Sequence, residues 1–226
     1  MTTFPRLLAL GAVAVLSVAA GRPAANWNTT VAVTPTGSHV LGNPAAKLKL
    51  AEFVSYTCPH CSHFESEADA PLRLVYVRSG KVSVELRHVL RDPIDLTAAM
   101  LTNCGPKEKF FVNHSVFMRS QPTWIRTLST ATEGQRTRWT SGDLATRNRA
   151  IAGDFHFYAI MATRGYDRVT IDRCLADKAM AQRLSAQTQA ATDLGVLGTP
   201  SFALNGSLLA GTNDWAMLRP QIDAAL

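Results

Sequence analysis

Cysteine is scarce in this chain, four residues in 226, too few and too scattered for a disulfide-stapled scaffold. Cys104 and Cys174 stand alone, so a four-thiolate zinc site would require an unusual geometry. Beyond the first residues no segment offers the run of about 20 apolar residues that crosses a bilayer. Basic residues outnumber acidic ones, 23 to 17 for a net charge of +6. Yet they form no run: Arg87, Arg91, Lys107, Arg119, Arg136 and Arg147 are spread along the chain. Without a basic cluster or an aromatic–basic motif, nucleic acid is not an expected partner. Internal repeats and long low-complexity tracts are missing too. Residues 21–46 are rich in Pro, Thr and Ala, and 21–40 are expected to be a flexible lead-in.

The first 20 residues read as an export signal. Arg6 gives the positive start, Leu7–Ala20 the apolar stretch, and Val18-Ala19-Ala20 a small-residue cleavage site. An uncleaved anchor is the alternative. Export places the mature protein where thiol–disulfide chemistry runs oxidising, and the expected location is the periplasm.

What the chain does have is Cys58-Pro59-His60-Cys61, directly after the apolar run Leu48–Val54. Two thiols at this spacing form a redox-motif candidate. A strand followed by a helix that opens on Cys-x-x-Cys leaves the first sulfur at the helix N-terminus. There the unpaired N–H groups favour thiolate over thiol. The second sulfur lies one turn along, within reach of a disulfide. Pro59 fixes φ at a first-turn position where no N–H is missed. His60 supplies a ring able to donate to, or when protonated pair with, the nearby sulfur. His63 extends the pattern and leaves a copper site as the other reading, with soft thiolates selecting Cu(I).

Lys47–Val54 alternates and then turns apolar, as a central strand does, and Val31–Val33 reads as a short edge strand. The spacing predicts a helix over 59–78, kinked at Pro71, and a second strand over 81–90. Strand, helix, strand implies a parallel crossover unit. From Asp92-Pro93 the pattern turns helical: 94–103, 107–119, a weak 124–132, a long 147–163, a short turn capped by Thr170, and 178–194 capped by Asp177. His114 and His156 lie among aromatics and read as core or rim residues. Ser201–Leu204 and Ser207–Leu209 flank Asn205-Gly206 as a hairpin, and Asp214 caps a last helix over 215–225. The outline is an α/β core, 41–92 and 193–226, split by an all-helical insertion, 93–192.

At this point the chain resembles the DsbA-like thioredoxin superfamily of exported thiol–disulfide oxidoreductases. The matching stretches are Glu52–Phe64, around the cysteine pair, and Gly195–Phe202. The resemblance implies a thioredoxin-like fold with an inserted helical domain. By it, Thr199-Pro200 is the cis-proline loop where a substrate backbone docks. Glu52 holds the position of the buried acid that accepts a proton from the second thiol; read alone, it would be a strand-edge residue facing water. The substrates implied are exported proteins with cysteine pairs, and a membrane redox partner is needed for reoxidation. No cofactor and no metal are expected.

The chain departs from the best-known members in having Thr rather than Val before Pro200, a feature shared with isomerases. It has two extra cysteines, and only a short segment, 21–40, where isomerases carry a dimerisation domain. A monomeric oxidase is therefore expected, with an isomerase or reductase as the alternative. Cys104 and Cys174 lie at ends of predicted helices in one block, and a structural disulfide between them is expected, two buried free thiols being the alternative.

Overall fold

The computed structural model describes Met1 and residues 25–226; the export-signal reading falls outside the described residues. Its centre is β3 (Leu48–Val54), in which every residue after Lys49 is buried. Both of its edges are paired. β3 pairs in parallel with β4 (Val82–His88) and antiparallel with β5 (Ser201–Leu204). Helix α1 (Pro59–Pro71) makes the crossover between the parallel strands. The sheet continues through β1 (Val31–Val33), β2 (His39–Gly42) and β6 (Ser207–Leu208), in the order β1-β2-β4-β3-β5-β6. Asn205 and Gly206, both at positive φ, turn β5 into β6 as a two-residue hairpin requires.

The period-2 pattern of β3 divides the core. Ala51 and Phe53 join Ala191, Val196 and Ala203 in a small cluster. Leu48, Leu50 and Val54 face the large cluster, which includes Phe64 of α1 and Phe202 of β5. Phe64 and Phe202 pack with ring centroids 4.7 Å apart, each burial contributing about 1.5–3 kcal/mol. Glu52 shares the parity of Leu50 and Val54, so it is carried into the large cluster.

The insertion is a succession of helices: α2 (Pro93–Thr102), α3 (Phe110–Trp124), α4 (Thr127–Thr130), α5 (Glu133–Thr140), α6 (Leu144–Asp154), α7 (Phe157–Thr163), α8 (Arg168–Leu175) and α9 (Lys178–Asp193). Helix α10 (Trp215–Ala225) closes the chain under its Asp214 cap. Side chains of Asp92, Asp143, Asp167 and Asp177 each accept a backbone N–H at a helix start, an interaction of about 1 kcal/mol apiece. No helix among the described residues is long and apolar enough to cross a membrane.

Several sequence expectations are corrected. The sheet begins before residue 41: within the lead-in read as flexible, β1 and β2 pair with each other and β2 with β4. Pro71 does not kink a continuous helix; the α-helix ends there and a π-helical turn, Leu72–Val77, takes over, because proline offers no N–H to the ladder. The helix expected over 147–163 is broken at His156, whose left-handed φ of 59° separates α6 from α7. Asp167, not Thr170, caps α8. Helix α5 has no counterpart in the sequence reading, although Thr132 and Gln135 form its capping box.

Cys104, after α2, and Cys174, in α8, are joined by a disulfide with Cα atoms 5.7 Å apart and a sequence separation of 70. Closing so long a loop constrains the unfolded chain. Replacing both cysteines by alanine is expected to lower the unfolding free energy by about 2–4 kcal/mol. Urea denaturation of the variant checks this; an unchanged midpoint would remove the structural role.

Candidate active site

Cys58 is the N-cap of α1, with extended backbone (φ −90°, ψ 116°), and Pro59 opens the helix. The N–H groups of Cys61 and Ser62 both donate to the Cys58 carbonyl, at 3.2 and 3.3 Å. This puts the first sulfur over the helix N-terminus, where the helix dipole favours negative charge. Both cysteines are free thiols here, each 1% exposed.

The segment before the helix is held from two directions. From α2, the buried carboxylate of Asp95 accepts the Ser55 hydroxyl at 2.5 Å, the Tyr56 N–H at 2.8 Å and the Arg91 N–H at 3.1 Å. Burial raises the Asp95 pKa to about 7 against these donors. Asp92 accepts from the Thr57 hydroxyl at 3.0 Å. From α3, Gln121 Nε2 donates to the carbonyls of Tyr56 at 2.6 Å and Cys58 at 2.8 Å. Ser62 donates to the Met118 carbonyl at 2.8 Å. Tyr56 donates to Thr102 Oγ1 at 3.0 Å, and its oxygen lies 2.9 Å from His114 Nδ1. The Thr102 hydroxyl gives its own hydrogen to Ala99, so the Tyr56 hydrogen goes to Thr102 and His114 is left to donate through Nδ1.

The other wall is the Thr199–Pro200 loop before β5, where the peptide bond is cis. As a thiol, Cys58 donates to the Thr199 carbonyl at 3.1 Å. Arg91 Nη2 donates to Thr199 Oγ1 at 2.8 Å. The two sulfurs are driven apart in acidity. A hydrogen bond from Cys61 is the largest influence on Cys58; with help from Thr199 and the Arg91 charge it outweighs burial and brings the Cys58 pKa down to about 4. Burial, followed by the hydrogen bond to Cys58, pushes the Cys61 thiol well up.

Pro59, Cys58, Cys61, Thr199 and Pro200 are thus brought together. His60 is exposed on a polar groove shared with His63, Glu67, Thr199, Pro200 and Asp214. The hydrogen bonds that lower the Cys58 pKa come from Cys61 and Thr199, not from His60. His63 turns to Glu67 at 3.2 Å, and no cluster able to hold a metal is found among the described residues. The copper reading finds no ligand set.

Glu52 is 4% exposed rather than at a wet strand edge. It lines a cavity with Glu65, Asp69, Arg73 and His114. Burial, then repulsion from Glu65 and Asp69, pushes its pKa well up. Glu65 is affected most by burial, but hydrogen bonding and charge from His114 hold it below the usual range; the two side chains lie 3.4 Å apart.

The sequence reading missed Arg91, Asp95 and Gln121. Asp92-Pro93-x-Asp95 carries a helix-start signal for the first two acids. Nothing in the pattern around Gln121 marks it, because its role depends on where α3 crosses the cysteine loop.

Residues 34–224 match the Thioredoxin family. The chain belongs to the thioredoxin superfamily, in its DsbA-like branch. The thiol:disulfide interchange protein DsbA of Bordetella parapertussis is 26% identical over 220 residues, 95% of this chain and 91% of that protein. A protein of Rickettsia bellii named as a protein-disulfide oxidoreductase is 26% identical over 169 residues, 74% of this chain and 56% of its own. The chain therefore spans little more than half the length of that relative. Among solved structures, a protein-disulfide isomerase from Novosphingobium aromaticivorans has a TM-score of 0.80 at 58% identity, covering 83% of this chain and 96% of that one. Wolbachia pipientis alpha-DsbA1 has a TM-score of 0.66 at 22% identity, with 85% and 92% covered, a likeness of fold.

The acid cavity carries a stability consequence. A carboxyl whose pKa is raised on folding contributes fully below its unfolded value, near 4.5, and progressively less as pH rises above it. Glu52→Gln removes that loss, so it is expected to stabilise the protein more at pH 8 than at pH 4. Denaturation midpoints of both proteins at the two pH values check the sign, and equal effects would refute it.

Proposed function

We propose that this chain is a protein thiol–disulfide oxidoreductase that acts mainly as an oxidase on cysteine-containing exported proteins. The observation that carries the reading is the acidic Cys58 at the head of α1, facing the Thr199 carbonyl across 3.1 Å. In the oxidised enzyme Cys58 and Cys61 share a disulfide. A substrate thiolate attacks Cys58 Sγ, forming a mixed disulfide and expelling Cys61 as thiolate, which takes up a proton because its pKa is high. A second substrate thiolate attacks the substrate sulfur of the mixed disulfide, and Cys58 leaves as thiolate. Two electrons pass from two substrate thiols to the enzyme pair.

A low leaving-group pKa speeds the second step and stabilises the reduced enzyme, which favours oxidation of the substrate. Leu197, fully exposed three residues before Pro200, gives the docking loop an apolar rim suited to unfolded chain. In this reading Glu52 serves as the buried acid of the superfamily and exchanges a proton with the Cys61 side of the site. The protein works as a periplasmic monomer and is reoxidised by a membrane partner.

Isomerisation is the second reading, favoured by Thr199 before Pro200 and by the isomerase name of the Novosphingobium neighbour. The two readings separate on ribonuclease substrates. Rapid oxidation of the reduced form, little rescue of the scrambled form, and a monomeric mass are expected, with Cys58→Ser inactive. Efficient rescue of the scrambled form by a dimer that barely oxidises the reduced one would reverse the assignment.

A pH dependence follows from Cys58. An acid whose pKa is depressed on folding contributes stability above its unfolded value and loses it as pH falls through the folded one. For Cys58 that window runs from an unperturbed 9.0 down to about 4, and it exists only in the reduced protein. The stability of the reduced form relative to the oxidised form is expected to fall as pH is lowered from 8 to 4. Parallel denaturation of both forms measures it; a constant difference would show that Cys58 is not acidic.

A further inference from the structure

Two of the cations scattered along the sequence are brought to one place by the fold. A cavity of about 190 Å³ lies where the β1–β2 hairpin meets both ends of the helical insertion. It is walled by Gly37 and His39 of the hairpin, Asn103 and Lys107 after α2, and Arg183 and Gln187 of α9. The α9 residues on it, Met180, Arg183, Leu184 and Gln187, fall at i, i+3, i+4 and i+7, so one helix face makes a whole wall. None of these residues belongs to the cysteine site.

The walls are held by contacts of their own. Gln187 Oε1 accepts the His88 N–H at 3.0 Å, and its Nε2 donates to the Thr36 carbonyl at 3.2 Å, which ties α9 to β4 and to the hairpin turn. Gly37 sits in that turn at a φ of 81°, and the stem of Arg183 lies across it; a Cβ there would be 3.4 Å from Arg183 Cδ. Asn103 Nδ2 donates to the Ala99 carbonyl at 2.8 Å. The His39 ring stacks on Phe110 with centroids 3.8 Å apart.

The charges, by contrast, are unmatched. No acidic side chain lines the cavity. Arg183 forms no salt bridge among the described residues. Lys107 has only Glu108, 4.0 Å away with both side chains about half exposed, a pairing of little strength. His39 is 7% exposed, and its Nδ1 is buried without a hydrogen-bond partner. Two permanent cations and an unpartnered imidazole thus border one space that contains no counter-charge.

We propose that this cavity binds a compact oxyanion of two negative charges, of the phosphate class, held by Arg183 and Lys107 against His39. Two charges match the two cations. Tetrahedral oxygens suit both the planar fork of a guanidinium and the point charge of an ammonium. Bound there, the anion would join the hairpin, the start of the insertion and its last helix, so occupancy stabilises the folded chain.

The test uses the full chain with inorganic phosphate near neutral pH, at an ionic strength held constant with chloride. Phosphate is expected to raise the thermal midpoint to a plateau, and acetate, a monoanion, to leave it in place. Calorimetric titration gives the affinity. Arg183→Met and Lys107→Met change exposed side chains, and each is expected to weaken phosphate binding about tenfold, the loss of one charge-assisted bond. The His39 ring supplies an independent readout. Burial holds its pKa down to about 4, and a neighbouring anion favours the charged ring. Phosphate should therefore move the titration of its ring-proton resonance to higher pH, and Arg183→Met should reduce that movement. A midpoint that phosphate leaves unmoved, or that acetate raises equally, would overturn the proposal. So would phosphate binding of unchanged affinity in both variants, or a His39 titration that ignores phosphate.

Discussion

A sulfur that is almost fully buried yet must carry a negative charge is the constraint around which this structure is built. Burying an ion is costly unless donors replace the lost water. No single element can supply them. The helix dipole comes from α1, a thiol donor from Cys61, and a positive charge from Arg91, which is held on the Thr199 loop. These segments are distant in sequence, and Thr199 lies 141 residues from Cys58. The order β4-β3-β5 solves the problem, because it sets the carboxyl end of β3 between the strand that leads to Arg91 and the strand that follows Pro200.

The helical insertion is part of that solution rather than a cover over it. Gln121 satisfies two carbonyls of the cysteine loop, and Asp95 satisfies a hydroxyl and a backbone N–H of the same loop. Losing either partner leaves buried polar groups unpaired, at about 1–3 kcal/mol each. The insertion is itself closed by the Cys104–Cys174 bridge between its first and penultimate long segments. Order in the insertion is thus coupled to order at the sulfurs through side chains that touch neither of them.

What was legible beforehand follows from the range of each signal. Cys58-Pro59-His60-Cys61, the Asn205-Gly206 turn and the Asp214 cap act over a few residues, and the structure has their elements where the pattern put them. Val31–Val33 was readable by alternation, but β2 was hidden: His39–Gly42 is four residues long and contains a glycine. The fate of His156 depended on Phe155 and Phe157 both being drawn into the core, which no helical period encodes. Glu52 was ambiguous for the same reason. Strand parity alone gave it a face, and only the packing of α1 made that face dry. Arg91 and Gln121 were illegible because their partners are fixed by how strands and helices cross.

The separation in acidity between the two cysteines is one effect seen from two sides. The hydrogen bond from Cys61 lowers the pKa of Cys58 and raises its own, since a proton engaged with a neighbouring sulfur is harder to remove. Burial adds to the rise at Cys61 and opposes the fall at Cys58. What keeps burial from cancelling the Cys58 shift is first the bond from Cys61, the largest influence on it, with Thr199 and the Arg91 charge adding smaller contributions. The outcome is an asymmetric pair: the sulfur at the helix N-terminus gives up its proton readily, and the sulfur one turn along holds its own.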